Sequence, residues 1–275
     1  MKYIDTGNRI SASAVSLDDT MNQYLKNLEK IEFVVTYACT GRCKHCSEGD
    51  HASFVDRIDP DAAADAVIRI ASEYNIKTVM AFGGEPLLHT DAVYAIIDAA
   101  RRMNIPKRQV ITNGYFSTDT DKIRDVAEKL SRCGVNDLLV SVDAFHQETI
   151  PLLTVRNFVA EAKKREIPIR LQPAWLVSKS DDNPYNRKTR ELLDSFGDMM
   201  IPESEGNIVF PEGNALKFLS RYFKDIRPEN PYMEDIFDLH CISFSPNGDV
   251  LDGNIYLRDI MEIIKNYTPK NCDNK

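Results

Sequence analysis

Hydrophobic and polar positions along this chain change period again and again. Short apolar runs, four to seven residues long, alternate with stretches in which apolar side chains recur every three or four residues. The short runs are "EFVVTY" (32–37), "TVMAF" (78–82), "QVIT" (109–112), "LLVSV" (138–142), "IRLQPAW" (169–175) and "NIVF" (207–210). Each reads as a buried strand, and each precedes a helical pattern. The helical stripes are Ala64, Val67, Ile68 and Ala71; Val93, Ile96, Ile97 and Ala100; and Ile123, Val126, Leu130 and Cys133. Three more follow: Val155, Phe158, Val159 and Ala162; Thr189, Leu192, Leu193 and Phe196; and Leu216, Leu219 and Phe223. Asp59 before Pro60, and Thr90, are the expected N-caps of the first two helices.

Strands without polar alternation, each followed by an amphipathic helix, predict a parallel sheet covered by helices. Such a sheet is either open and doubly wound or a closed or partly closed barrel. A further helical stripe at Leu17, Met21, Tyr24, Leu25 and Leu28 predicts an N-terminal helix. Near the other end, "CISFSPNGDVLDGN" (241–254) predicts a hairpin turning at Pro246-Asn247-Gly248. The expected organisation is a helical extension over 1–31, a core over 32–225 and a hairpin–helix cap over 226–275.

Composition narrows the class. The chain has 275 residues, 43% hydrophobic and 28% charged, with a net charge of −8. That is an ordinary globular balance. An acidic chain without a Lys/Arg block offers nucleic acid no electrostatic footprint. No segment approaches the length of a membrane span or a secretory signal, so a cytoplasmic location and reduced thiols are expected.

Candidate chemistry gathers at the strand ends, where ligands sit in either architecture. The first strand runs into "TYACTGRCKHCSEG" (36–49), with Cys39, Cys43 and Cys46 spaced C-x3-C-x2-C. The second ends in Gly83-Gly84-Glu85-Pro86, the third in Thr112-Asn113-Gly114, and the fourth in Ser141-Val142-Asp143. The fifth ends in Gln172, Pro173 and Trp175, and the sixth in "PEGN", with Glu212 and Asn214. Three close thiolates could hold zinc, with His45 or His51 as fourth ligand, or the irons of a cubane cluster. Three cysteines on a cubane leave one iron open, which suits a catalytic cluster.

The cysteine spacing just after a first strand resembles the cluster loop of the radical S-adenosylmethionine (radical SAM) superfamily. Gly83-Gly84-Glu85-Pro86 is similar to its GGEP element, and "TNG" and "SVD" are similar to patterns after its third and fourth strands. The resemblance spans roughly residues 32–225 and implies a partial (β/α)6 TIM-like barrel. It implies an oxygen-sensitive enzyme with one 4Fe–4S cluster on Cys39, Cys43 and Cys46. The open iron would chelate S-adenosylmethionine, whose reductive cleavage gives a 5′-deoxyadenosyl radical that takes hydrogen from substrate. It further implies cofactor contacts from His45, Gly83, Gly84, Glu85, Asn113, Ser141 and Asp143. In that reading Gly83 and Gly84 let backbone approach the methionine moiety, and Glu85 braces its loop. An external electron donor of flavodoxin or ferredoxin type is implied as partner.

Substrate candidates at the rim are His146, Gln172, Trp175, Glu212 and Asn214, for a small molecule or short peptide. Simpler roles stand beside these. "SVD" can cap a helix through Asp143, Trp175 can pack, and "PEGNA" can bind an anion at a helix start or be a plain loop. The polar stretch "SKSDDNPYN" (178–186) is a lid or a surface connection. Cys133 reads as a buried thiol and Cys272 as an exposed one. The C-terminal hairpin resembles the SPASM and twitch extensions stripped of auxiliary-cluster cysteines, with Gly253 where one would stand. Molybdopterin-precursor cyclases carry a second cysteine cluster and a Gly-Gly terminus, and this chain ends "CDNK". The competing readings are a zinc-stabilised binding protein and a degenerate cluster-binding scaffold without turnover.

Overall fold

The computed structural model describes residues 21–49, 55–225 and 227–270. Its strands are β1 (Lys30–Val34), β2 (Thr78–Phe82), β3 (Lys107–Thr112), β4 (Asp137–Ser141), β5 (Ile169–Gln172), β6 (Ala174–Trp175), β7 (Asn207–Ile208), β8 (Cys241–Phe244), β9 (Asp249–Val250) and β10 (Gly253–Asn254). The helices are α1 (Pro60–Glu73), α2 (Thr90–Arg102), α3 (Thr120–Cys133), α4 (Ala144–Gln147), α5 (Leu152–Lys164), α6 (Pro184–Asp194), α7 (Gly213–Leu219) and α8 (Ile260–Asn266). Six strands form one parallel sheet in the order β5-β4-β3-β2-β1-β8. The expected α/β class and parallel sheet hold.

The core lies between this sheet and its helices. Ile31, Phe33, Val79, Ala81, Val110, Leu138 and Val140 are fully buried there, together with Ile96, Ile97, Ala127, Leu130, Phe158 and Val159 from the helices. The opposite strand face carries Glu32, Val34, Phe82 and Ile111, all partly exposed. It also carries a buried polar group, where the Asp137 carboxylate accepts from Arg170 Nη2 and the Gln109 amide at 2.7–2.8 Å and from Arg170 Nε at 3.0 Å. Asp59, Asp119 and Asp259 cap α1, α3 and α8 by accepting from backbone N–H groups of the first turn.

Several expectations need correction. The fifth run is not one strand. Pro173 has no N–H for the ladder, so β5 stays in the main sheet while β6 pairs in parallel with β7. The units remain neighbours, because Leu171 N–H donates to Pro202 and Ser204 N–H donates back to Leu171, both at 2.9 Å. Cys241–Phe244 is not a hairpin arm either. It joins β1 in parallel, opposite Lys30–Phe33, with the Phe33 and Phe244 rings stacked at 4.7 Å. The hairpin is the next pair, β9–β10, and Gly248 still turns the chain before it.

No helix forms at 21–29, and residues 17–20 of that stripe lie outside the described residues. Leu25 and Leu28 are buried from successive turns instead. Asn22 fixes them: its amide donates to the carbonyls of Ile264 and Tyr267 at the end of α8, at 2.9 and 2.7 Å. In α1 the fully buried stripe is Ala63, Ala66, Val67 and Ile70, and Ala64, Ile68 and Ala71 flank it. Thr90 is the first residue of α2 and His89 holds the cap position. Leu216 is half exposed. Among the described residues no helix is long and apolar enough to cross a membrane.

Candidate functional site

The loop that leaves β1 carries the three cysteines and has no regular secondary structure from 37 to 49. Thr36 starts it. Its hydroxyl donates to Asp56 O at 2.7 Å and accepts from Ala38 N–H at 3.0 Å. The end of β2 lies directly against this turn. Gly84 N–H donates to Thr36 O at 2.7 Å, and Glu85 N–H to Ala38 O at 2.8 Å. Both glycines are sterically required. A Cβ on Gly83, at φ +141°, would stand 2.4 Å from Thr36 O, and one on Gly84 would stand 2.2 Å from Ala38 O. Their Cβ directions face the cysteine loop, so they serve first to bring two strand ends into backbone contact.

Glu85 is fully buried. One carboxylate oxygen accepts from Leu87 N–H and the Thr112 hydroxyl, at 2.9 and 2.7 Å, and the other from Asn113 N–H at 2.8 Å. Burial raises its pKa to about 7, against the pull of those donors. Both oxygens are committed to the protein, so Glu85 is a brace between the ends of β2 and β3. Asn113 turns its amide to the cysteine loop, donating to Thr40 Oγ1 at 3.1 Å and to Cys39 Sγ at 3.5 Å. It therefore faces a cysteine sulfur.

Asp143 is fully buried and caps α4, accepting from Phe145 and His146 N–H at 2.9 Å. Its other oxygen meets His146 Nδ1 at 2.7 Å and Ala174 N–H at 3.2 Å. Burial pushes its pKa up, but His146 and the N–H donors outweigh this and bring it to about 2. Both its oxygens thus meet protein groups. Ser141, at the end of β4, is nearly buried, and its hydroxyl has no protein partner among the described residues.

His45 lies against Phe145 and His146, with ring centroids 4.8 Å away in each case. Its Nδ1 is buried with no hydrogen-bond partner, and burial drops its pKa to about 4. Cys43, His45 and His146 bring one ligand atom each within 4.8 Å. His51 lies outside the described residues.

Burial raises the pKa of all three thiols, that of Cys39 to about 11. Cys39 and Cys43 Sγ both lie within 4 Å of the place a Cβ on Gly41 would take. Buried thiols so placed ionise only beside compensating positive charge, which thiolate-bound iron supplies. The donor set fits a 4Fe–4S cluster.

The last rim element also reaches the loop. Asn214 donates from its side chain to Cys43 O and Gly49 O, both at 3.1 Å, and from its N–H to Cys46 O at 2.8 Å. That N–H, at the helix start in "PEGN", is spent on the loop. Trp175 is buried, and its indole donates to Glu205 O at 3.0 Å, which is a packing role. Gln172 is tied to the Ser204 hydroxyl. The stretch 178–186 is pinned from below by buried Asn183 and Asn186, so it is a fixed connection. Glu212 is exposed and lines a cavity of about 830 Å³ with Phe210, Arg227, Glu229, Asn230 and Met233.

Sequence reasoning missed three supports. Thr36 turns the loop, Thr189 accepts from Ala144 N–H at 3.0 Å, and Tyr185 stacks on Phe145 at 4.5 Å. The Thr36 position, just before the cysteines, was the one local signal. Cys133 is buried on α3 as expected, and Cys272 lies outside the described residues.

Comparison with known proteins agrees with this geometry. The profile of the radical SAM superfamily matches residues 33–167. A probable GTP 3′,8-cyclase of Saccharolobus islandicus is 25% identical over 223 residues, covering 75% of this chain and 68% of that protein. Another, of Methanocaldococcus jannaschii, is 26% identical over 133 residues, covering 48% and 42%. Streptococcus suis SuiB bound to S-adenosylmethionine superposes at a TM-score of 0.51 with 12% identity, over 86% of this chain and 65% of that one. Native anSMEcpe with bound AdoMet superposes at 0.52 with 16% identity, over 84% and 75%. These two share the fold. Residues 33–167 carry the match to the radical SAM superfamily, whose enzymes use a 4Fe–4S cluster and S-adenosylmethionine.

Proposed function

We propose that Cys39, Cys43 and Cys46 hold a single 4Fe–4S cluster and that the chain performs radical chemistry on a small molecule or short peptide. The observation that carries this is the convergence of three separate strand ends on the cysteine loop. Gly84 and Glu85 bind its start, Asn113 faces Cys39, and Asn214 binds its far side. When bound, the reduced cluster and S-adenosylmethionine supply a 5′-deoxyadenosyl radical that takes a hydrogen atom from substrate. The chain's own residues orient and enclose. The free Ser141 hydroxyl is the rim group left to meet a bound cofactor, and the backbone of 83–85 is the surface left for the methionine end.

Cys133 lies on α3 and Cys241 on β8, and no second cysteine group gathers among the described residues. This supports a single cluster. The cavity beside Glu212 offers charged and apolar surface suited to a polar small molecule or a peptide segment. An external one-electron donor of flavodoxin or ferredoxin type completes the reading. At 25% identity the cyclase relatives support the shared chemistry, and GTP is not carried over as substrate.

One observation favours a second reading, zinc: the convergence of Cys43, His45 and His146. That set leaves Cys39 and Cys46 without a role. Anaerobic purification with iron and sulfide analysis separates the two. About four irons per chain are expected, with release of 5′-deoxyadenosine on adding S-adenosylmethionine and a strong reductant. The triple change Cys39→Ala, Cys43→Ala and Cys46→Ala should remove both. A colourless zinc protein, or cleavage that survives the triple change, overturns the proposal.

A further inference from the structure

We propose that Gly213 and Asn214 form a positioning clasp that holds the cysteine loop in its cluster-binding shape. This rests on the reading of Cys39, Cys43 and Cys46 as cluster ligands, and it assigns a role in that site to residues at the far end of the core.

The loop has little backbone pairing of its own. Inside it, the one backbone–backbone hydrogen bond among the described residues is Cys46 N–H to Cys43 O, at a long 3.3 Å, beside local bonds from Gly41 N–H to Cys39 Sγ at 3.3 Å and from Arg42 to the carbonyls of Cys39 and Gly41 at 2.7 and 2.8 Å. Neighbouring elements supply the remaining ties. The end of β2 fixes residues 36–38, and Thr149 Oγ1 accepts from Arg42 N–H at 3.1 Å. Asn214 fixes the stretch from Cys43 to Gly49, across 171 positions of sequence.

Its geometry is specific. The side-chain amide has two N–H groups, and both carbonyls it meets, Cys43 O and Gly49 O, lie at 3.1 Å. The backbone N–H takes Cys46 O at 2.8 Å. One residue thus holds the carbonyls of two proposed ligands and closes the loop across its base. Gly213 makes the approach feasible. Its φ is +49°, and a Cβ there would stand 2.1 Å from Ser47 O. Any other residue would push the clasp off the loop. Aspartate has the same outline as asparagine but only acceptors, so it would face two carbonyl oxygens without a proton between them. Partners that orient ligands in this way govern metal retention.

The test uses the full chain, reconstituted anaerobically, as wild type, Asn214→Asp, Asn214→Ala and Gly213→Ala. The readouts are iron content, the electron paramagnetic resonance spectrum of the reduced cluster, and the rate of iron loss to a chelator. Asn214→Asp should lose iron about tenfold faster than wild type, with an altered spectrum. Wild-type spectra and retention in both Asn214 variants would overturn the clasp. Hydrogen exchange on the wild-type apoprotein tests it without mutation. The Asn214 amide should be protected, and exchange at the rate of an unstructured peptide counts against the proposal. If wild type itself takes up no iron, the cluster reading fails instead, and the exchange data still report on the clasp.

Discussion

Gly84 sits so close to Ala38 that a Cβ on it would stand 2.2 Å from the Ala38 carbonyl oxygen. The end of β2 and the start of the cysteine loop are thus in direct backbone contact, one residue before Cys39. The hydrogen bonds from Gly84 and Glu85 N–H to Thr36 and Ala38 O, at 2.7 and 2.8 Å, lock that contact.

Gly84→Ala should therefore break the site from outside it. The added methyl meets backbone, which cannot swing away, so the two strand ends must separate. A stability loss of about 1–3 kcal/mol is expected in urea titration of the apoprotein. Iron uptake should fall with it. Full iron content in this variant would show that the contact is dispensable.

Glu85 makes the apoprotein sensitive to pH. Its folded pKa of about 7 lies above the ordinary value of 4.5. Its contribution is then fully present below the unfolded pKa and is lost as pH rises through about 7. Apoprotein stability should decline from about pH 5 to about pH 8, by an amount on the order of 3 kcal/mol. Glu85→Gln should flatten that decline, while leaving a donor facing either Thr112 or Asn113. An unchanged slope would show that other groups cause it.

Trp175→Phe distinguishes packing from substrate contact. The change removes the indole hydrogen bond to Glu205 O and should cost about 1 kcal/mol of stability. Release of 5′-deoxyadenosine from S-adenosylmethionine, and turnover once a substrate is known, should keep their wild-type KM. A raised KM would restore Trp175 as a substrate platform.

Asn186→Ala should free the 178–186 stretch. Asn186 is fully buried, accepts from Leu176 N–H at 2.9 Å and donates to the carbonyls of Leu176, Ser178 and Asp181 at 2.8–3.1 Å. Truncation strands the buried Leu176 N–H, at a cost of about 1–3 kcal/mol. Limited proteolysis should then cut within 178–183. Resistance equal to wild type would mean that Asn183 alone suffices.

Much of this was legible locally. The run 78–82 is β2, and Ile123, Val126, Leu130 and Cys133 all face inward from α3. The first follows from a short unbroken apolar run and the second from a period of 3.6 residues, and neither needs a partner to be read. The cysteine spacing, the two glycines and the cap at Asp143 were legible for the same reason. The turn at 21–29 was not, because Asn22 is held by carbonyls at the end of α8, more than two hundred positions away. Nor was β8: "CISF" has the same pattern as a hairpin arm, and only its stack on Phe33 shows where it pairs.

The sequence by itself determined the repeating strand–helix order, the superfamily resemblance and the residues able to bind a cluster, since each lies in residue type and short spacing. The tertiary structure decided which polar residues remain available at the rim. Glu85, Asp143 and Asn214 look like ligand contacts in one dimension. In three dimensions their donors and acceptors meet other protein groups: Thr112 and Asn113 for Glu85, the start of α4, His146 and Ala174 for Asp143, and the cysteine-loop carbonyls for Asn214. A hydrogen-bonding group has few partners to give, and which neighbours take them is settled only when distant segments pack.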